Sequence, residues 1–218
     1  MTYEVSIITV NYNGINDTCE LIDTIPFEKH SIEMVVVDNA SSKDEATILQ
    51  SKYPFIKVIR SDKNLGFAGG NNLGIKAATG KYLFLVNNDT LFNDFNIEAL
   101  IIDEVGLLPE CYFLYYEELD WSLMITRAGY QIWYEPACTI FHKESQSTGQ
   151  DSPLRTYYIT RNRLLFVKRN YHGACKYLSY LYLLSIVALR DYLKSVFRGR
   201  FDLCGSISRG VSSFLKMQ

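Results

Sequence analysis

The stretch that decides how this chain folds is NLGFAGGNNLGIKAATGKYLFLVNND, Asn64 to Asp89. It opens with four glycines and three asparagines in its first twelve residues and closes on an apolar run ending in Asn87-Asn88-Asp89. Punctuation, helical spacing and a β-branched or aromatic run read in turn as a loop, a helix over about Ala68–Thr79 and a strand over Lys81–Asn87. The two familiar phosphate loops do not fit. A dinucleotide fingerprint needs G-x-G-x-x-G directly after the first strand, whereas Gly66, Gly69, Gly70 and Gly74 follow the third and lack that spacing. Gly69 and Gly74 satisfy half of a P-loop, but Ile75-Lys76 stand where Lys-Ser/Thr is required. Two readings remain: a loop and helix N-terminus that approach a ligand closely, or a tight turn with close helix–sheet packing.

Working outward, VSIITVN (Val5–Asn11), IEMVVVD (Ile32–Asp38) and FIKVIR (Phe55–Arg60) precede this strand as further apolar runs. Ser42-Lys43-Asp44-Glu45 reads as a capping box opening a helix to about Tyr53. Apolar strands alternating with helices predict an α/β fold, a mostly parallel sheet flanked by helices. Ligands of such sheets bind at the carboxyl ends of the strands. Those ends here carry Asn11-Tyr12-Asn13, Asp38-Asn39, Ser61 to Phe67, and Asn87-Asn88-Asp89.

Downstream, Leu91–Glu110 offers one amphipathic segment, EALIIDEVGLL, and no clear strand. A helix is expected from about Glu117, with Glu117, Glu118 and Asp120 in its first turn and Gly129 as its stop. Gln131–Pro136 and Cys138–Lys143 read as short strands, Ser145–Pro153 as a polar loop, and everything from about Leu154 as helical, aromatic and basic. The domains are therefore drawn as 1–152, catalytic, and 153–218, helical.

A net charge of −2 supplies no global basic field, so nucleic acid is not an expected partner. Five scattered cysteines without CxxC spacing suggest neither a disulfide framework nor a zinc knuckle and fit a reducing cytoplasm. MTYEVSIITVNYNG reads directly as a strand, and the mature chain is expected to begin at Met1.

Single residues carry readings of unequal sharpness. A carboxylate at Asp38 can accept from a base N–H or a ribose hydroxyl, or cap the next helix. Asp89 is placed to hold Mg²⁺ or Mn²⁺ against a diphosphate, or to make a turn. His142 could complete such a site, although a lone histidine after a strand is more often structural. One of Glu117, Glu118 and Asp120 could serve as general base.

Taken in order, VSIITVNYNG, VVVDNASSKD, NLGFAGGNNLGIKAATGKYLFLVNND, FLYYEELDWSLMITRAGY, TIFH and YYITRNRLLF resemble the inverting glycosyltransferases of family 2 with the GT-A fold. Within it, the chain is similar to the rhamnosyltransferase-like enzymes of bacterial surface polysaccharide assembly. The resemblance implies a nucleotide pocket of Thr9, Asn11, Asn13, Asp38 (reading a pyrimidine), Asn64, Gly66, Asn72 and Asn88. It implies a divalent metal, Mg²⁺ or Mn²⁺, at Asp89 and His142. It aligns Glu118 with the catalytic base, and Asp120 is its rival because Glu117-Glu118 replaces the family's usual Glu-Asp.

The implied donor is a dTDP- or UDP-sugar, and the implied acceptor a saccharide or lipid-linked molecule. Relatives of this kind carry a longer segment between the metal motif and the part matching DEVGLLPECYFLYYEE, so an impaired nucleotide-sugar-binding module stays open as an alternative. So does a sugar nucleotidyltransferase, though NYNGIND lacks the Gly-rich basic loop that reading needs. The uncharged run Tyr177–Leu189 is too short to span a bilayer. It suggests peripheral contact with the inner face of a plasma membrane through residues 174–200, or packing against the domain or in a homodimer.

Overall fold

The computed structural model describes residues 3–28, 31–92, 106–132, 140–142 and 152–217. They form two compact units, one from Met1–Phe113 with Trp121–Glu144, the other from Leu114–Asp120 with Ser145–Gln218.

In the first unit β1 (Val5–Asn11), β2 (Ile32–Asp38), β3 (Lys57–Arg60) and β4 (Tyr82–Leu85) form one parallel sheet in the order β3-β2-β1-β4. Asn11 pairs with Asp38 and Asp38 with Arg60, so the polar residues ending β1 and β2 stand side by side. Because β4 lies on the far side of β1 from β2, the strand order reverses between β1 and β4, which is where such sheets leave a crevice. On one face Ile7, Met34 and Val36 pack with Leu21 and Ile22 of α1 (Ile15–Thr24) and Leu49 of α2 (Glu45–Lys52). On the other lies α3 (Gly66–Ala77), with Ala68 in a second cluster that includes Leu108, Trp121 and Ile125.

Three local expectations change. The helix of the glycine-rich stretch begins at Gly66, not Ala68. The capping box does not form: Asp44 caps α2 by accepting from the Thr47 amide, while Ser42 donates to Asn13 Oδ1. A strand does follow Asp89, β5 (Thr90–Phe92), pairing antiparallel with β6 (Ile140–His142). Three residues carry too little pattern to announce a strand whose partner lies so far along the chain. The strand expected over Gln131–Pro136 and the loop over Ser145–Pro153 fall largely outside the described residues, as does most of EALIIDEVGLL.

After a 3₁₀ turn (Glu110–Tyr112), α4 runs over Glu117–Arg127. It stops as expected at Gly129 (φ +91°), where Gly129 and Tyr130 amides bond back to Thr126 and Ile125 carbonyls in a Schellman motif.

The second unit is helical: α5 (Pro153–Asn170), α6 (Gly173–Tyr182), a π-helical segment (Leu183–Ala188), α7 (Leu189–Phe197) and α8 (Phe201–Lys216). Ser152 caps α5 through the Arg155 amide. α5 and α8 cross closely at Gly210, where an added Cβ would lie 2.9 Å from the Tyr157 carbonyl oxygen, and Tyr157 Oη bonds Ser213 Oγ at 2.9 Å. No helix among the described residues is long and apolar enough to cross a membrane.

Candidate functional site

The carboxyl ends of β1 and β2 are organised around Asn11. Its amide donates to Asp38 Oδ1 (3.0 Å), Ser41 Oγ (3.2 Å) and Glu45 Oε2 (2.8 Å), and its carbonyl accepts from Thr18 Oγ1 (2.8 Å). Both ends of this buried side chain are thus committed, tying strand ends to the first turns of α1 and α2. The Asp38 carboxylate is buried too, yet only its inner oxygen is engaged. Asp38 Oδ2 has no hydrogen-bond partner among the described residues, and neither has Thr9 Oγ1, two residues before Asn11 on the same face of β1. Buried acceptors are nearly always paired, so an open carboxylate oxygen at the ligand-binding edge of an α/β sheet marks a place where a donor from outside can be received.

The neighbouring residues shape the backbone around that point. Asn13, at φ +55°, lets Oδ1 accept from the Ser42 amide and hydroxyl, and its own amide donates to Ser41 Oγ. Asn64 Oδ1 accepts from the Gly66 amide at 2.8 Å. Asn39 bridges the two loops, donating to Asn64 Oδ1 and the Gly66 carbonyl and accepting from the Leu65 amide.

The glycines themselves serve packing. A Cβ at Gly74 would lie 2.4 Å from Ile8 Cγ2, and one at Gly70 2.8 Å from Val10 Cγ1, so α3 can lie this close to the sheet only with bare backbone there. Gly66 has φ +73° and sits under the Phe113 carbonyl. Asn72, expected at the nucleotide, holds Leu108 through both its amide and its carbonyl, and reaches Glu110 Oε1 at 2.9 Å.

Across the strand-order reversal, Asn88 Nδ2 donates to Thr18 Oγ1 (3.1 Å), linking the end of β4 to the Asn11 network. Asp89 follows, and the antiparallel register pairs Thr90 with His142, which brings the backbones of Asp89 and His142 to one end of the two-stranded ribbon. No cluster of three or more His, Cys, Asp or Glu that could cage a metal exists among the described residues. A carboxylate such as that of Asp89 nevertheless suits Mg²⁺ or Mn²⁺ held jointly with substrate phosphates, where a diphosphate supplies the remaining oxygens.

In the second unit the acidic start of α4 divides its roles. Asp120 is buried, with Oδ2 accepting from Arg169 Nε (2.6 Å) and Oδ1 from Asn170 Nδ2 (2.8 Å). Glu117 is 1% exposed, and its Oε2 has no partner among the described residues. Burial, with the charge of Glu118 beside it, pushes Glu117 up to about 7. In Glu118 desolvation by burial of the carboxyl raises it above the ordinary range. The turn leading in is strained, with Tyr115 at φ +65° and Tyr116 at φ +81°. It is held by Asn162 Nδ2, which donates to the Leu114 and Tyr115 carbonyls. Sequence reading named Asn39 only as part of a polar strand end, and missed Ser41, Glu45 and Asn162 as site-builders. A single asparagine in YYITRNRLLF gives no sign that it clamps a turn forty-odd residues earlier.

Residues 6–102 match the family model described as glycosyl transferase family 2. Over this stretch, a little under half of its length, the chain is similar to family 2 glycosyltransferases. An uncharacterized glycosyltransferase of Rickettsia felis is 37% identical over 98 residues, covering 44% of this chain and 16% of its own length. Bacillus subtilis YwdF, also named an uncharacterized glycosyltransferase, is 31% identical over 100 residues, covering 44% of this chain and 37% of its own. The chain thus spans well under half the length of these relatives. The structure of S. aureus TarS superposes with a TM-score of 0.50 at 15% identity, over 83% of this chain and 43% of that one, a likeness of fold consistent with GT-A. The family 2 match contains Thr9, Asn11, Asp38, the glycine-rich helix and Asp89, and ends before the acidic helix α4.

Proposed function

We propose that the chain is an inverting glycosyltransferase using a dTDP- or UDP-sugar, with rhamnose as a fitting donor sugar, in the assembly of cell-surface polysaccharide. The observation that carries the donor side of this reading is the open Oδ2 of Asp38. A pyrimidine presents an imide N–H, and that donor satisfies the buried oxygen. Thr9, Asn11, Asn13, Asn64 and Gly66 build the pocket wall, and Asn72 and Asn88 fix the segments flanking it. A divalent cation held by Asp89 and His142 would supply positive charge against the diphosphate.

Glu118 is the proposed base. Asp120 already gives both oxygens to Arg169 and Asn170, whereas desolvation raises the proton affinity of Glu118, the direction a general base needs. Glu118 takes the proton of an acceptor hydroxyl, that oxygen bonds to the anomeric carbon, and the bond to the nucleotide diphosphate breaks with inversion. The acceptor is a saccharide or a lipid-linked molecule, reached by peripheral attachment at the inner face of a plasma membrane.

Calorimetric titration with UDP- and dTDP-sugars, with and without Mn²⁺, tests the donor side; metal-independent binding that survives Asp89→Ala overturns the metal assignment. A second reading, a nucleotide-sugar-binding module without transfer, is favoured by the short span of the chain relative to its relatives. Normal donor binding with no hydrolysis or transfer, in the wild type as in Glu118→Gln, would establish it.

A further inference from the structure

From α6 through the π segment to α7, every fourth residue of one row turns into the helical unit. Leu183, Val187 and Asp191 sit against Thr160, Arg163 and Leu164 of α5, with Asp191 bonded to Arg163 at 3.3 Å, and Ser195 is buried one turn further on. The opposite side is apolar and uncovered. Tyr177 is 73% exposed and Phe197 88%, Leu178, Leu181, Ile186, Leu189 and Leu193 are exposed between them, and Phe201, which opens α8, is 70% exposed. Scattered exposed leucines are ordinary, but Ile186, Leu189, Leu193 and Phe197 share one outer surface, and a contiguous apolar patch of this kind is the mark of an interaction surface.

Its charge narrows the occupant. Gly173–Asp202 holds five basic and two acidic residues in a chain whose net charge is −2. Both acids are spent locally, Asp191 on Arg163 and Arg190 and Asp202 on Arg200. Arg190, Lys194 and Arg198 line the same outer surface as Ile186, Leu189, Leu193 and Phe197. A second copy meeting this surface about a two-fold axis would bring the basic row against itself. A bilayer of anionic lipid instead offers phosphates at the level of the cations and hydrocarbon just below for the leucines and phenylalanines. Tyr177, Tyr182 and Tyr192, also exposed, are of the amphipathic type that sits at that boundary.

We propose that the outer side of α6–α7, with Phe197 and Phe201 at its leading end, lies in the plane of an anionic phospholipid surface, the helix resting in the headgroup layer without crossing it. This deepens the peripheral attachment proposed above by naming its residues and lipid class. It is measured without donor sugar, so its failure leaves the sugar-transfer reading standing, and the failure of transfer leaves it untouched.

The test is co-sedimentation of the full chain with phosphatidylcholine vesicles, with and without phosphatidylglycerol. Binding is expected to be at least about tenfold stronger with the anionic lipid and to weaken as salt is raised. Lys194→Glu with Arg198→Glu, and separately Phe197→Asp, should each lower it about tenfold while the melting temperature stays put, because these side chains face outward. The proposal is overturned if the chain binds neither vesicle, or binds both equally and ignores the charge reversal. It is equally overturned if the chain is a dimer that Phe197→Asp converts to monomer.

Discussion

Two buried carboxylates stand on the same strand, β2, five residues apart, and they are finished in opposite ways. Glu33, near the amino edge of the sheet, accepts from the Ser6 hydroxyl and from the Thr79 amide, and the Gly80 amide closes the cluster on Ser6 Oγ at 2.8 Å. Burial works to raise its pKa, but the hydrogen bonds from Ser6 and Thr79, helped by Lys57, outweigh it and leave Glu33 below the ordinary range. Asp38, at the carboxyl edge, has one oxygen bonded to Asn11 and the other open. A saturated carboxylate contributes to folding and has nothing left to offer a ligand. An unsaturated one costs stability until something completes it. In this sheet the amino edge is therefore closed on itself, while the carboxyl edge keeps one buried oxygen without a hydrogen-bond partner among the described residues.

The strongest attempt to break the comparison is Glu33→Ala. It leaves the Thr79 amide and Ser6 hydroxyl without their acceptor and should cost about 3 kcal/mol of stability in denaturant unfolding. Nucleotide affinity of the folded fraction should be unchanged. Next, Asp38→Asn keeps an acceptor for Asn11 but replaces the open carboxylate. A roughly 30-fold weaker nucleotide Kd, about 2 kcal/mol, with a melting temperature within about 2 °C of wild type, is expected by calorimetry and thermal denaturation. A large fall in stability with unchanged affinity would make Asp38 another Glu33.

A third carboxylate, Glu117, extends the rule to the helical unit. Its folded pKa, about 7, lies above its ordinary 4.5, so its stabilising share is complete below about 4.5 and lost as pH rises through about 7. Unfolding measured from pH 5 to 8 should show stability falling across that window. Glu117→Gln should flatten the fall and recover roughly 1.5 kcal/mol at pH 8, allowing for relaxation around the charge. The smallest effect belongs to Asp44, an exposed carboxylate that caps α2 and pairs with Arg60. Asp44→Ala should cost about 0.5–1 kcal/mol and leave binding alone.

What could be read in advance follows from the range of the interactions. VSIITVN and IEMVVVD are continuous apolar runs, and such runs announce strands buried on both faces, so β1 and β2 were expected with their observed ends. Gly129 was legible as a helix stop because a Schellman turn is decided by a few neighbouring residues. The glycine-rich stretch was legible only in part. Its composition shows that backbone must approach something, and the fold reveals that for Gly70 and Gly74 this something is the sheet itself. Asp38 was visible as a polar end to an apolar strand, whereas the bond that uses up its other oxygen depends on Asn11, on another strand. Glu45 looked like half of a capping box, and only the packed structure turns it inward to Asn11. Asn162 and its strained turn depend on contacts that no local pattern encodes.

The small ribbon of β5 and β6 has a consequence for how this architecture can vary. By pairing Thr90 with His142 it clasps the two ends of the long intervening segment, and the entropy of closing such a loop grows only slowly with its length. Sequence can thus be added or removed between the clasped ends at small thermodynamic cost so long as Leu108, Tyr112 and Trp121 keep their buried places, while the backbones of Asp89 and His142 stay at one end of the ribbon. A clasp of this kind lets the chain between Phe92 and Ile140 change in length without parting the two backbone ends beside Asp89 and His142.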